Sequence, residues 1–138
     1  AVDTGSNVAP LQTNRSQPVT FVINVNRVND PPSFVAGASV TVAEDSGAYT
    51  SPTPLATQIV PGPANEITDG QTVSFVVTVP QASRSLFSVQ PTINSSGFLS
   101  FTPAPNAVGS VVVSVVAVDS LNATSSAANV TITITEVN

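Results

Sequence analysis

NVTITIT, residues 129–135, places Val130, Ile132 and Ile134 on one side of an extended chain and Asn129, Thr131, Thr133 and Thr135 on the other. Successive side chains of a strand point to opposite faces, so strict alternation marks a strand with one face in a core. The pattern recurs throughout the chain. TFVINVN (residues 20–26) turns Phe21, Ile23 and Val25 inward, TVSFVVTV (72–79) turns Val73, Phe75, Val77 and Val79, and SVTVAE (39–44) turns Val40 and Val42. VVVSVVAV (111–118) is apolar on both faces, as suits a central or covered strand. LFSV (86–89) and FLSF (98–101) flank the turn NSSG (94–97), where Gly97 can supply a positive φ. Beta-branched residues fill these runs, the 12 prolines fall mostly between them, and no stretch has a helical period. The fold predicted is all-β, a seven-stranded antiparallel sandwich of two sheets.

The same strand ends two parts of the chain. FVINVNRVN (21–29) aligns with VTITITEVN (130–138), pairing Phe21 with Val130, Ile23 with Ile132, Val25 with Ile134, Val28 with Val137 and Asn29 with Asn138. Upstream, AVDTG (1–5) matches AVDSL (117–121), with seven more residues between the anchors of the first copy. The offset from Asn29 to Asn138 is 109 residues, the length of one small domain. Residues 1–29 are therefore expected to be the stub of a penultimate strand, a loop and the final strand of a preceding repeat, and residues 30–138 one complete repeat. A lone strand is not stable. The segment pairs either within its own repeat or with another molecule's sheet edge. Between the two lies VNDPP (28–32), where consecutive prolines fix φ and push the preceding residue to an extended conformation. The joint is expected to be short and semi-rigid.

Composition excludes several classes of function. The chain has no Cys, His or Lys; its basic residues are Arg15, Arg27 and Arg84, and its net charge is −5. Thiolate sites, disulfides and the usual activated-serine arrangements cannot be built. There is no basic footprint for nucleic acid. No run reaches the ~20 apolar residues of a membrane span, so direct membrane insertion is not expected. Charged residues are only 8% of the chain, against roughly a quarter or more of an ordinary exposed surface. Either glycans or neighbouring subunits cover the surface, or the source favours neutral residues. Four N-x-S/T triplets, at Asn14, Asn94, Asn122 and Asn129, fall at positions expected to be exposed and are candidate glycosylation sites. The outward Val112, Val116 and Val118 lie under a neighbouring strand or loop, or form a lateral contact in a fibre or coat.

The order of landmarks resembles the cadherin-like and immunoglobulin-like tandem repeats of large surface proteins in bacteria, algae and protists. VNDPPSF (28–34) is similar to their inter-repeat linker and VAEDSG (42–47) to the acidic motif after the first strand. LATQIVPGPANEITDGQTVSF (55–75) looks like a second strand, an acidic loop and a third strand. LFSVQPTINSSGFLSFTPAPNAVGSVVVSVVAVDS (86–120) is similar to their proline-rich hairpin and valine-rich strand. The resemblance implies an extracellular or cell-surface location and neighbouring repeats as partners. It also implies carboxylates that bind calcium between repeats: Asp30 in the linker, Glu66 and Asp69 in the acidic loop, and Asp119 before the last hairpin, with Glu44 at the opposite pole beside Asn138. TPAPN (102–106) stands where cadherins carry a further acidic motif. The alternative is that these acids cap turns and keep the poles soluble, with no cofactor.

The expected function is that of a structural module, a rigid link in an extended extracellular array. A calcium-dependent adhesion module is the second reading. A carbohydrate-binding module is the third, disfavoured by a single Tyr and six Phe. An enzyme is not expected.

Overall fold

The computed structural model describes residues 16–138. Nine strands follow in order: β1 (Ser33–Ala36), β2 (Ser39–Ala43), β3 (Tyr49–Thr50), β4 (Ala56–Val60), β5 (Val73–Thr78), β6 (Phe87–Ile93), β7 (Leu99–Pro103), β8 (Gly109–Asp119) and β9 (Ala128–Thr135). A short helix, α1 (Ala64–Thr68), links β4 to β5, and a 3-10 turn, Gln81–Leu86, links β5 to β6.

One layer is the four-stranded sheet β2-β9-β8-β5. The other contains β3-β7-β6 and the pair β1-β4. β3 and β4 are two pieces of one path beside the β6–β7 hairpin: the Ser51 N–H donates to the Leu99 carbonyl, and the N–H groups of Leu55 and Ala56 both donate to the Gly97 carbonyl. Pro52 and Pro54 separate the pieces, since neither can donate to a ladder. β1 and β2 likewise divide the first strand between the two layers, parting around Gly37 and Ala38. The nine strands thus form three hydrogen-bonded sheets arranged in two layers.

The inward residues are those the alternation selects. Val130, Ile132 and Ile134 of β9 and Val111, Val113, Val115 and Ala117 of β8 are buried. They meet Leu99, Phe101, Phe87 and Ile93 from the opposite layer. Phe87 packs edge-on against Phe101 at 5.4 Å, and Phe34 against Phe75 at 5.2 Å. Each large aliphatic or aromatic side chain buried there contributes about 1.5–3 kcal/mol. Partly buried Phe34, Val40, Tyr49, Leu55, Ile59, Phe75 and Val77 pack around this core.

Two features differ from the sequence expectation, and the outward valines divide between the two readings given for them. The β2–β9 pair is parallel, matching Val40 with Ile132 and Val42 with Ile134; alternation fixes which face is buried but not the direction of pairing. Residues 64–68, expected to be loop, form the single turn of α1. Of the outward valines, Val118 bridges to Thr124 of the β8–β9 loop, whereas Val112 stays half exposed. On the same outer face Val76 lies opposite Val116.

Residues 16–28 are exposed and enter no ladder. Phe21, Ile23 and Val25 carry the strand pattern of β9 with none of its neighbours. The AVDTG match and Asn14 lie outside the described residues.

Candidate functional site at the Asn29 pole

Strand parity explains why an acid is buried at this pole. Along β8 the core-facing positions are Val111, Val113, Val115 and Ala117, and the next on that face is Asp119, only 3% exposed. Its carboxylate organises the loop that follows. Oδ1 accepts the N–H groups of Leu121 (2.8 Å) and Ala123 (2.9 Å), and the Asn122 N–H donates to the Asp119 carbonyl. Asn122 sits at φ +73°, a left-handed conformation that Asn tolerates better than most residues. Oδ2 accepts from the Asn29 side-chain amide at 2.8 Å. Burial alone would raise the Asp119 pKa, but the hydrogen bonds from Ala123, Asn29 and Leu121 outweigh it and hold the carboxyl below its ordinary value.

Asn29 is held from both ends. Its Oδ1 accepts from Gln71 Nε2 at 2.9 Å while its Nδ2 donates to Asp119. The next residue is also fixed, since the Asp30 N–H donates to Glu66 Oε1 at 2.8 Å. Glu66 lies in the first turn of α1 and is 2% exposed. Its second oxygen, Oε2, has no hydrogen-bond partner, and neither does Gln71 Oε1. Gly62 allows this close packing: a Cβ there would lie 1.9 Å from Glu66 Oε2. Beyond these, Arg27 pairs with Asp69 at the surface. That carboxylate raises the arginine's pKa further above its ordinary value by hydrogen bonding and charge. The side chains surround a depression of about 80 Å³ lined by Arg27, Asn29, Glu66, Asp69, Gln71 and Leu121.

All four candidate calcium ligands therefore come to one pole, but each is engaged differently. Asp119 accepts three N–H groups, Asp69 faces a guanidinium, Glu66 holds a backbone amide, and Asp30 contributes its own N–H to Glu66. Calcium takes about six to eight oxygen ligands. Among the described residues, the buried side-chain oxygens left without partners are Glu66 Oε2 and Gln71 Oε1. Among the described residues no three acidic side chains converge as a metal-binding group. Asn29 and Gln71, which tie the pole together, are neutral amides that a search for charged ligands passes over. The recurrence of Val-Asn at 28–29 and 137–138 is the signal that singles out Asn29.

The opposite pole repeats the parity logic. Val40 and Val42 share the inward face of β2, and Glu44, one residue past its end, continues that row and is 9% exposed. Its Oε1 accepts the Val137 N–H at 3.0 Å, and its own N–H donates to the Thr135 carbonyl. Glu44 thus fixes the chain leaving β9, one residue before Asn138. Of the candidate glycosylation sites, Asn94, Asn122 and Asn129 are exposed. Asn94 caps its turn by accepting N–H groups from Ser96 and Phe98.

No curated protein matches the chain. Residues 29–133, beginning at the anchored asparagine and ending within β9, match the family model of the bacterial Ig domain, and the chain belongs to that family.

Proposed function

We propose that the chain is a rigid structural link in an extended array on a bacterial cell surface, residues 1–29 closing one unit and residues 30–138 forming the next. Bacterial Ig domains are a non-catalytic fold type common in surface proteins, and no helix among the described residues is long and apolar enough to cross a membrane. The observation that carries the reading is the fastening of the joint. Asn29 and Asp30 bind side chains of the sandwich and run directly into Pro31 and Pro32, leaving no free tether. Exposed Val76 and Val112 offer a surface for lateral contact between arrays. Glycans on Asn94, Asn122 or Asn129 would cover a surface poor in charge. Small-angle scattering of a protein with several successive units tests the link. An elongated particle whose length grows in proportion to unit number supports it, and a broad distribution of lengths refutes it.

A calcium-dependent adhesion module is the second reading, favoured by the unpartnered Glu66 Oε2 and Gln71 Oε1 beside the depression. Titration calorimetry separates the two. Calcium heat that vanishes in Glu66→Gln supports adhesion through a bound ion, whereas no heat at millimolar calcium leaves the direct hydrogen bonds to hold the joint.

A further inference from the structure

We propose that residues 28 and 29 form a two-sided clamp between successive units, and that Asn138 carries the same clamp forward onto a following unit of this fold. The inference rests on the tandem-link reading and adds the atoms that hold the link. Within this unit, Glu44 Oε1 takes the Val137 N–H. The repeat places Val28 where Val137 stands and Asn29 where Asn138 stands. In the unit closed by residues 20–29, the residue at the Glu44 position faces the Val28 N–H. The very next residue, Asn29, is gripped by Asp119 and Gln71 of the downstream unit. Two units therefore hold neighbouring residues whose Cα atoms are ~3.8 Å apart. No rotatable linker remains between the anchors, and the poles must abut.

The same register sets the chemistry of the partner. Asn138 needs a pole presenting a carboxylate at the Asp119 position and a side-chain amide at the Gln71 position. Glu136 occupies the place of Arg27, which pairs with Asp69. The partner that follows Asn138 thus carries a basic or neutral residue, not an acid, at the Asp69 position.

The test is a tandem in which residues 30–138 are followed directly by residues 30–138, with Glu136→Arg in the first copy. This recreates the Arg-Val-Asn-Asp-Pro-Pro joint of residues 27–32. Residual dipolar couplings read whether both copies share one alignment frame, and amide exchange reads protection of Val137. The parent tandem is expected to show a single frame. Asn138→Ala in the first copy, at a position outside the core of either sandwich, is expected to split it into two. Glu44→Ala is expected to do the same and to lower Val137 protection about fivefold, the factor an ordinary hydrogen bond confers. Glu44→Gln, which keeps the acceptor oxygen, is expected to retain one frame. A parent tandem with two frames overturns both the rigid link and the clamp. A single frame that survives Asn138→Ala overturns the clamp alone.

Discussion

Residues 20–26 and β9 have the same alternating pattern and opposite fates. Phe21, Ile23 and Val25 are 75%, 73% and 86% exposed, while their counterparts Val130, Ile132 and Ile134 are at most 1% exposed. Hydrophobicity does not separate them. β9 has β2 on one side and β8 on the other, and a second sheet over its inward face. The earlier segment has no ladder, so its backbone groups are left to solvent and its apolar face is uncovered. Alternation therefore specifies a demand for neighbours, and the neighbours convert it into stability. The sharpest way to break the comparison is to truncate the same residue in each copy. Ile132→Ala should destabilise the sandwich by about 2–5 kcal/mol, the range for emptying a packed core site. Ile23→Ala should stay within about 0.5 kcal/mol, as for an ordinary exposed position. Urea midpoints of the two variants measure both. Comparable losses would mean that residues 20–26 pack on this sandwich after all.

A smaller effect is expected where the opposite layer approaches itself. Gly97 adopts φ +92°, and a Cβ there would lie 2.1 Å from the Ala56 carbonyl oxygen. That carbonyl is backbone and cannot swing aside like a side chain. Gly97→Ala should cost about 1–3 kcal/mol, from the left-handed conformation and the displaced strand together. It should also loosen the two hydrogen bonds that Leu55 and Ala56 donate to the Gly97 carbonyl. Faster amide exchange at Leu55 and Ala56, with β9 still protected, would confine the damage to the layer that β9 covers.

Much of this fold was legible because period two is a local property. Each inward residue read from Val73, Val130 or Val42 outward is at least half buried. The parallel pairing of β2 with β9 was not legible, since parallel and antiparallel neighbours present identical alternation to one strand. The helix α1 spans five residues, too few to establish a 3.6-residue period. At the site, the gathering of Asp30, Glu66, Asp69 and Asp119 at one pole followed from the resemblance, but their engagements did not. Charge counting ranks the four as equals. The structure distinguishes Asp119, on the core-facing parity of β8, from Asp69, at the exposed end of α1. Parity alone could have marked Asp119 and Glu44 as the acids that end an inward row.

That parity gives a pH prediction, gentler than the core and backbone changes. The folded pKa of Asp119 is depressed, so its contribution to stability is fully present above the unfolded value, about 3.9. It is lost as pH falls through the lower folded value. Asp119→Asn removes that titration, so acid unfolding of the variant should have a shallower pH dependence below about pH 4 than the parent. At neutral pH the variant should already be less stable, since a neutral amide accepts the N–H groups of Leu121 and Ala123 less strongly than a carboxylate does. Parallel acid-unfolding curves would place the pH sensitivity elsewhere, and would remove Asp119 as the charged anchor of Asn29.

The smallest effect is expected at Arg27, and its smallness sharpens the contrast between segment and sandwich. The Arg27 and Asp69 side chains are 63% and 46% exposed. Exposed ion pairs gain little in water, restrict two long side chains and are screened by salt. Arg27→Ala should therefore leave the urea midpoint of the sandwich unchanged at high salt and nearly unchanged at low salt. Asn29, two residues along, belongs to the part-buried network of Asp119 and Gln71. The change from chain that rides on the sandwich to chain that is built into it thus falls between Arg27 and Asn29. A clear, salt-resistant drop in the midpoint for Arg27→Ala would move that boundary upstream and make the arginine part of the unit it touches.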